Sequence, residues 1–312
     1  MEEMLTIAMP HCGLAANSTS GGEVVERELL SRVAEQGVDP HILRPAWRGL
    51  RWWNSPLYFR SVIGACVRLH TPRLIRAHSL RYAGPATIAA KRQYGLPLVA
   101  HFHHLERDHL SWLDRWVLRH ADLVTTDSEF SWRQAQVFRI NALVIPLGTS
   151  LQPITPIPLN RLVLFMGGNK PRKNLPFLLN LWPDVVRRVP DARLVIAGPG
   201  HWLPRTDQEI RTLYQRVRVL AFPSYLEGFG LPVLDAMAAG RPVVCSNVTA
   251  LPELGARRTL PLDPLQWVDA LVHYLTDDGA CIRDGYENWI RASAYTWERT
   301  AALMVAAWRK LA

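Results

Sequence analysis

Along its 312 residues the chain alternates between short apolar runs of strand length and longer segments of helical period, each apolar run ending in a polar loop. "LTIAMP" is followed by the loop "HCGLAANSTSGG" and by the helical segment "EVVERELLSRVAEQG", which closes at Gly37. "RLIRAHS", "LPLVAHFHH" and "ADLVTTDS" continue the series. Parallel strands need crossover connections, usually helices, so this alternation predicts an α/β fold with parallel sheets covered by helices. From Ile145 to Asn160, "IPLGTSLQPITPIPLN" holds four prolines and no helical period, which predicts a linker. A second set follows: "RLVLFMGG", "NLPFLLNLWPDVVRRVP", "ARLVIAG", "TDQEIRTLYQR" and "VRVLAFPS". The expected organisation is a Rossmann-like lobe over 1–150, a proline-rich linker over 151–160, a second such lobe over 161–294 and a terminal helix over 295–312.

Bulk properties narrow the function classes. With 48% hydrophobic and 20% charged residues the chain is globular rather than disordered. Four widely spaced cysteines form no CxxC pair, so neither a zinc site nor a disulfide framework is expected, and a reducing compartment fits. The first ten residues carry two acids where a signal peptide is basic, and no run reaches the roughly 18 to 20 apolar residues of a membrane span. The expectation is a cytoplasmic protein or one held peripherally on the inner face of a membrane.

The net charge of +9 is concentrated locally: no acid occurs between Asp39 and Glu106, an interval holding ten Lys or Arg. Such a field attracts phosphate. Within it, Arg44, Arg48, Arg51 and Arg60 interleave with Trp47, Trp52, Trp53, Tyr58 and Phe59. Arg48, Arg51, Trp52 and Trp53 are candidates for a membrane or acceptor patch; the competing reading is a Trp core with a wet basic rim. Interleaved bases and aromatics also occur in single-strand nucleic-acid binders, but no recognised binding motif accompanies the charge.

The stretch "YLEGFGLPVLDAMAAGRPVVCS" sets two acids, Glu227 and Asp235, on either side of a glycine-rich turn. Pro232 suits the first turn of a helix and Gly240 the position past its end. Glycines before the helix admit close approach of a ligand, and the unpaired N–H groups of the helix start favour an anion. Asp235 is expected in the first helical turn. Acids flanking a phosphate site can accept from sugar hydroxyls; alternatively they favour the helix N-terminus electrostatically.

This block closely resembles the signature of retaining nucleotide-sugar glycosyltransferases of the GT-B fold, glycosyltransferase family four: an acid, seven residues and a second acid around a "GFGLP"-type turn. The resemblance implies two Rossmann-like lobes facing a central cleft, the second lobe binding donor and the first acceptor, with the C-terminal helix over 295–312 crossing back to the first lobe. It implies that Glu227 addresses the donor sugar and Asp235 the ribose hydroxyls, with Phe229, Gly230 and Leu231 at the diphosphate. Asp235 departs from the family's Glu by one methylene, roughly 1.5 Å, which predicts a weaker or water-bridged ribose contact. "FMGGNKPRKNLPFLLNLW" resembles the family's diphosphate loop, which puts Lys173 and Arg172 on the leaving group; the family's arginine after the first glycine is here Gly168, so either Arg172 or Lys170 stands in for it or the leaving group is less well held. "LPLVAHFHHLERD" resembles the strand ending near the sugar, with His103 at the family's histidine and His104 in place of an Asp. Gly21 and Gly22 fall in the family's first glycine-rich loop. Where the family inserts a further helix and strand after "LVIAGPG", only "HWLP" intervenes, so base selectivity does not carry over.

The resemblance implies a hexosyltransferase with retention, taking a GDP- or UDP-linked sugar, mannose first, to a glycan or lipid-linked hydroxyl, without a cofactor or metal. The second reading is a degenerate glycosyltransferase-like subunit that binds nucleotide or a partner without transfer; a third is a sugar-nucleotide epimerase on the same fold.

Overall fold

The computed structural model describes residues 4–10, 21–43, 55–77, 80–103, 111–153, 156–158, 160–201 and 206–312. The chain divides into two compact units, Met1–Gly148 with Trp297–Ala312, and Thr149–Thr296. The second unit therefore begins at Thr149, before the expected linker. Thr149 forms a parallel bridge with Thr296, and its N–H donates to the Tyr295 carbonyl at 3.1 Å, which ties the two ends of this unit together.

The first unit runs β1 (Leu5–Pro10), α1 (Gly21–Glu35), β2 (Val38–Leu43), α2 (Ser55–His70), β3 (Leu74–Ala77), α3 (Leu80–Tyr94), β4 (Leu98–Phe102), α4 (Trp112–His120), β5 (Leu123–Thr126), α5 (Glu129–Val137) and β6 (Leu143–Val144). Its sheet is parallel, in the order β2-β1-β3-β4-β5-β6. β3 and β4 are buried at every position, as expected for strands covered on both faces. Strand order reverses at β1, so the loops beyond the carboxyl ends of β1, β3, β4 and β5 are where this architecture places ligands.

Two expectations change here. Gly21 and Gly22 are the first residues of α1 rather than loop; a first turn tolerates glycine because its N–H groups lack intrahelical acceptors in any case. In the basic-aromatic stretch, Tyr58 and Phe59 lie in α2, and Phe59 is fully buried against Ala8, Ile63 and Ile75, so that part is core. Arg48, Arg51, Trp52, Trp53 and His104 lie outside the described residues. The basic field is also partly neutralised: Arg76 is buried in a bidentate pair with Glu26, and Lys91 pairs with Asp122 at 2.6 Å.

The second unit runs β7 (Leu162–Met166), a short 3-10 turn (Pro171–Lys173), α6 (Leu175–Arg188), β8 (Arg193–Ala197), α7 (Asp207–Arg216), β9 (Val219–Phe222), α8 (Leu231–Ala238), β10 (Val243–Ser246), β11 (Arg258–Leu260), α9 (Pro264–Thr276) and α10 (Asp278–Ala292). Its parallel sheet has the order β11-β10-β9-β7-β8. Val163, Phe165, Leu178, Val185, Trp267 and Leu271 fill its core. β8 is an edge strand followed directly by α7 within this sheet.

The last helix, α11 (Trp297–Arg309), belongs to the first unit. Trp297, Thr300, Ala301, Met304, Val305 and Trp308 recur at helical spacing and are all buried. Trp308 packs among Leu5, Ile7, Leu29 and Val33, and Arg309 donates to the Gln36 carbonyl at 2.9 Å. No helix among the described residues is long and apolar enough to cross a membrane.

Candidate active site

In the second unit the turn after β7 and the loop after β9 are knitted into one structure. Tyr225 N–H donates to the Arg172 carbonyl at 2.8 Å, and Ser224 Oγ lies 3.0 Å from the same oxygen. Arg172 Nη1 donates back to the Leu226 carbonyl at 2.8 Å. This lacing carries Arg172 and Lys173 to Glu227, which lies 54 residues beyond the lysine in sequence. Lys173 Nζ donates to Glu227 Oε1 at 2.6 Å, Ser224 Oγ donates to the same oxygen at 2.6 Å, and Arg172 Nη1 lies 3.0 Å from Oε2. The ammonium also stands 4.4 Å from the centroid of the Phe222 ring.

Both members of this ion pair are buried while Arg172 is about a third exposed, with side-chain exposures of 7%, 6% and 37% for Lys173, Glu227 and Arg172. Burial pushes the Glu227 carboxyl up, but Lys173 and Arg172, with the hydrogen bonds from Lys173 and Ser224, outweigh it and hold the group below the ordinary carboxylate range. Burial lowers the Lys173 ammonium to about 8, Glu227 opposing the shift and Arg172 and Lys170 adding to it. At neutral pH the cluster therefore holds one anion between two cations, which leaves a net positive site.

Glycine is required where this loop approaches its neighbours. A Cβ at Gly167 would come within 2.5 Å of Lys173 Cγ, so the lysine stem lies across that backbone. At Gly168, φ is +55° and a Cβ would stand 2.1 Å from the Pro199 carbonyl oxygen, so no side chain fits where the family's arginine would begin. Arg172, not position 168, brings the guanidinium to the site. Lys170, also considered as a stand-in, is exposed.

Gly230, at φ +105°, is the N-cap of α8, and a Cβ there would meet Leu251 at 2.6 Å. Leu231 opens the helix, and the buried Phe229 ring packs edge-on to Tyr295 at 6.0 Å. Asp235 does not lie in the first turn, because α8 begins at Leu231 with Pro232 as its second residue, which sets the acid a turn further along. Its Oδ1 accepts from Thr149 Oγ1 at 2.7 Å.

In the first unit His103 follows β4 and Asp127 follows β5. His103 Nδ1 and Asp127 Oδ2 are 2.5 Å apart, and His101 Nε2 lies 3.2 Å from Asp127 Oδ1. As strand alternation predicts, His101 and His103 share a face, their rings edge to face at 4.8 Å. Burial lowers His101 to about 4 despite Asp127, with His103 and Arg76 adding to the fall, so it is neutral at neutral pH. Burial also acts to lower His103, but Asp127 overcomes it by charge and hydrogen bond, Glu26 assists, and the net shift is upward. For Asp127, burial is outweighed by the two histidines and the carboxyl falls to about 2.

His101, His103 and Asp127 bring three atoms of ligand type within 4.8 Å of one another. Carboxylate–imidazole hydrogen bonding accounts for that approach.

Several residues in these clusters escape a motif reading. Ser224 holds the carboxylate, and Thr249 Oγ1 accepts the Glu227 N–H at 3.0 Å from a residue at φ +54°, a region that β-branched residues rarely occupy. Thr149 and Asp127 lie in segments whose sequence shows only a loop. Strand and turn signals place such residues near a site without saying which hydroxyl or carboxylate turns inward.

Known proteins bear on this geometry. The family model described as glycosyl transferases group 1 matches residues 160–277, and the glycosyl transferase 4-like domain matches residues 15–148. O-antigen chain mannosyltransferase B of Escherichia coli is 32% identical over 177 residues, 47% of this chain and 45% of that protein. D-inositol 3-phosphate glycosyltransferase of Corynebacterium glutamicum (strain R) is 31% identical over 180 residues, 51% of this chain and 43% of that one. The chain thus spans less than half the length of these curated relatives. Among solved structures, a sucrose-phosphate synthase from Thermosynechococcus elongatus superposes with a TM-score of 0.83 at 19% identity, covering 98% of this chain and 99% of that one. A lipopolysaccharide outer core galactosyltransferase does so with a TM-score of 0.72 at 14% identity, covering 99% and 100%. These likenesses show the two-lobed GT-B fold. With both units matched by its models, the chain belongs to the group 1, family-four-like glycosyltransferases.

Proposed function

We propose that the chain transfers a hexosyl group from a nucleoside-diphosphate sugar to a hydroxyl acceptor, with retention at the anomeric carbon. The observation that carries this reading is the buried Glu227 carboxylate held between Lys173 and Arg172, beside the start of α8. A diphosphate arriving there competes for the two cations, and each bond it takes from Glu227 leaves a carboxylate oxygen to accept from a sugar hydroxyl. Lys173, Arg172 and the N–H groups of the helix start offset the charge that develops on the leaving diphosphate, which supports chemistry without a metal or cofactor. Asp235 is the ribose acceptor, sharing its carboxylate with Thr149. His103 hydrogen-bonds a substrate oxygen.

Mannose on GDP is the first donor, supported by the likeness to the O-antigen mannosyltransferase and by "PRKNL", with a UDP-hexose second. The acceptor is a glycan or lipid-linked hydroxyl, met in the cytoplasm or at the inner face of a membrane. A second reading, a nucleotide-binding subunit without transfer, draws on Gly168, where the family's arginine has no room.

The test is release of nucleoside diphosphate from GDP-mannose and UDP-glucose in the presence of a panel of glycan and lipid-linked hydroxyl acceptors, with product configuration read by NMR. Glu227→Gln is expected to slow release about a hundredfold or more. Binding without release by the wild-type protein would favour the subunit reading, and conversion of the donor to an epimer would replace both.

A further inference from the structure

Asp127 is used by no step of the reading above, yet it is buried and faces His103. It lies between β5 and Ser128, the N-cap of α5, whose side chain accepts from Ser131 N–H. Ser131 Oγ donates to the His103 carbonyl at 2.8 Å, so the start of α5 fixes both the acid and the backbone of the histidine it faces. The carboxylate is 1% exposed and the imidazole 25%, with Oδ2 and Nδ1 2.5 Å apart. A carboxylate at that distance receives the Nδ1 proton, which sets the ring plane and leaves Nε2 to the second proton.

We propose that Asp127 is a positioning residue for His103: it accepts from Nδ1–H, fixes the ring and favours the doubly protonated imidazole, so that Nε2 donates to a substrate hydroxyl. The identity of that hydroxyl as a sugar's rests on the glycosyltransferase reading; the state of the acid–imidazole pair does not. Among the described residues four groups face the ring: Asp127 from the connection after β5, His101 from β4, Glu26 from α1 and Arg76 from β3. Arg76 is already neutralised by Glu26 through paired hydrogen bonds of 2.5 and 2.7 Å. His101, fully buried, takes up no proton near neutral pH. Among the described residues that leaves His103 as the group that balances the charge of Asp127. A neutral histidine donates from one nitrogen only, so without the carboxylate the ring would lose one donor.

The experiment is an NMR titration of 13C/15N-histidine-labelled full chain, wild type, Asp127→Asn and His103→Gln, alongside the pH profile of kcat/KM for nucleoside-diphosphate release from GDP-mannose and UDP-glucose. The His103 resonance should titrate above 6.5 in the wild type, and at least one pH unit lower in Asp127→Asn, a tenfold loss of proton affinity. The alkaline limb of kcat/KM should move down with it. His103→Gln should be insensitive to a second substitution at Asp127. A wild-type His103 that titrates at or below 6.5 overturns the proposal, and does so even if Asp127→Asn does not fold. An Asp127→Asn protein that loses melting temperature while His103 and the profile stay put shows a merely structural acid, and stimulation by added Zn2+ or Mn2+ that requires His101, His103 and Asp127 would replace the pair with a metal site. Absence of release by the wild type with either donor across the acceptor panel would defeat the transferase reading alone, since the titration still decides the pair.

Discussion

Glu227 is useful to a ligand only while it is charged and only if its partners can let go. Its two cations differ in this respect: Lys173 is buried and Arg172 is about a third exposed, so Arg172 is the partner a diphosphate reaches from solvent. Removing Lys173 alone leaves a buried carboxylate short of its nearer partner, which costs about 3 to 5 kcal/mol in comparable pairs. Lys173→Ala is therefore expected to lower stability as well as activity, and Lys173→Ala with Glu227→Gln to recover part of the stability but none of the activity. Urea melts read beside donor release check this, and full additivity of the two stability losses would contradict it. The lysine also sets a pH dependence. Because its ammonium deprotonates at about 8, donor affinity should hold below that pH and weaken above it, by up to about tenfold per unit. Lys173→Arg keeps the charge, so binding by that variant should stay level to about pH 9.5. A wild-type profile already level to that pH would remove Lys173 from the diphosphate site.

At the scale of elements, the close packing of the loops after β7 and β8 sets what the site can carry. Gly168→Ala forces a side chain against the Pro199 carbonyl at positive φ, and a loss of more than about 1 kcal/mol in urea unfolding is expected. A neutral or stabilising result would mean that the two loops move apart readily. The β4–β5 cluster makes a separate prediction. His101 in the folded chain titrates at about 4, below the roughly 6.5 of an unfolded one, so the unfolded state binds more protons between those values and stability falls as pH drops through them. His101→Asn should flatten that slope, read as urea midpoints at pH 7 and 4.5; an unchanged slope would place the acid sensitivity elsewhere.

These elements also show what a sequence can and cannot say. The buried strands were legible because parallel strands covered on both faces are continuous apolar runs, and Glu227 and Lys173 were each singled out by a separate resemblance, though the ion pair between them was not. The start of α1 at Gly21 was not, since glycine reads as loop wherever it stands. The burial of Phe59 was not, since a helix entered from a basic-aromatic stretch has no cue for which aromatic turns inward. Asp127 and Thr249 were not, because their roles come from strand ends that only the folded sheets bring to a neighbour.

At the scale of the whole molecule, the chain returns to its first unit at the end. α11 supplies Trp308 to the core beneath β1, with the Arg76 guanidinium 5.8 Å from its ring centroid. Trp308→Ala is expected to cost about 3 to 5 kcal/mol in the first unit. Because the second unit has its own sheet and core, limited proteolysis of this variant should digest the first unit and spare 149–296. Equal digestion of both would contradict their independence.

The account turns on whether the second unit holds a nucleoside-diphosphate sugar through Lys173 and Arg172. Thermal unfolding of the wild-type and Lys173→Ala proteins with UDP, GDP, ADP, TDP and CMP, each with its sugar conjugates, tests this most directly. A ligand at about 100 times its dissociation constant stabilises the folded state by about 2.7 kcal/mol. The predicted result is a shift of the wild-type melting temperature confined to one or two nucleoside-diphosphate sugars, GDP-mannose first, and largely lost in Lys173→Ala. No shift with any of them, or the same shift in both proteins, would contradict the account.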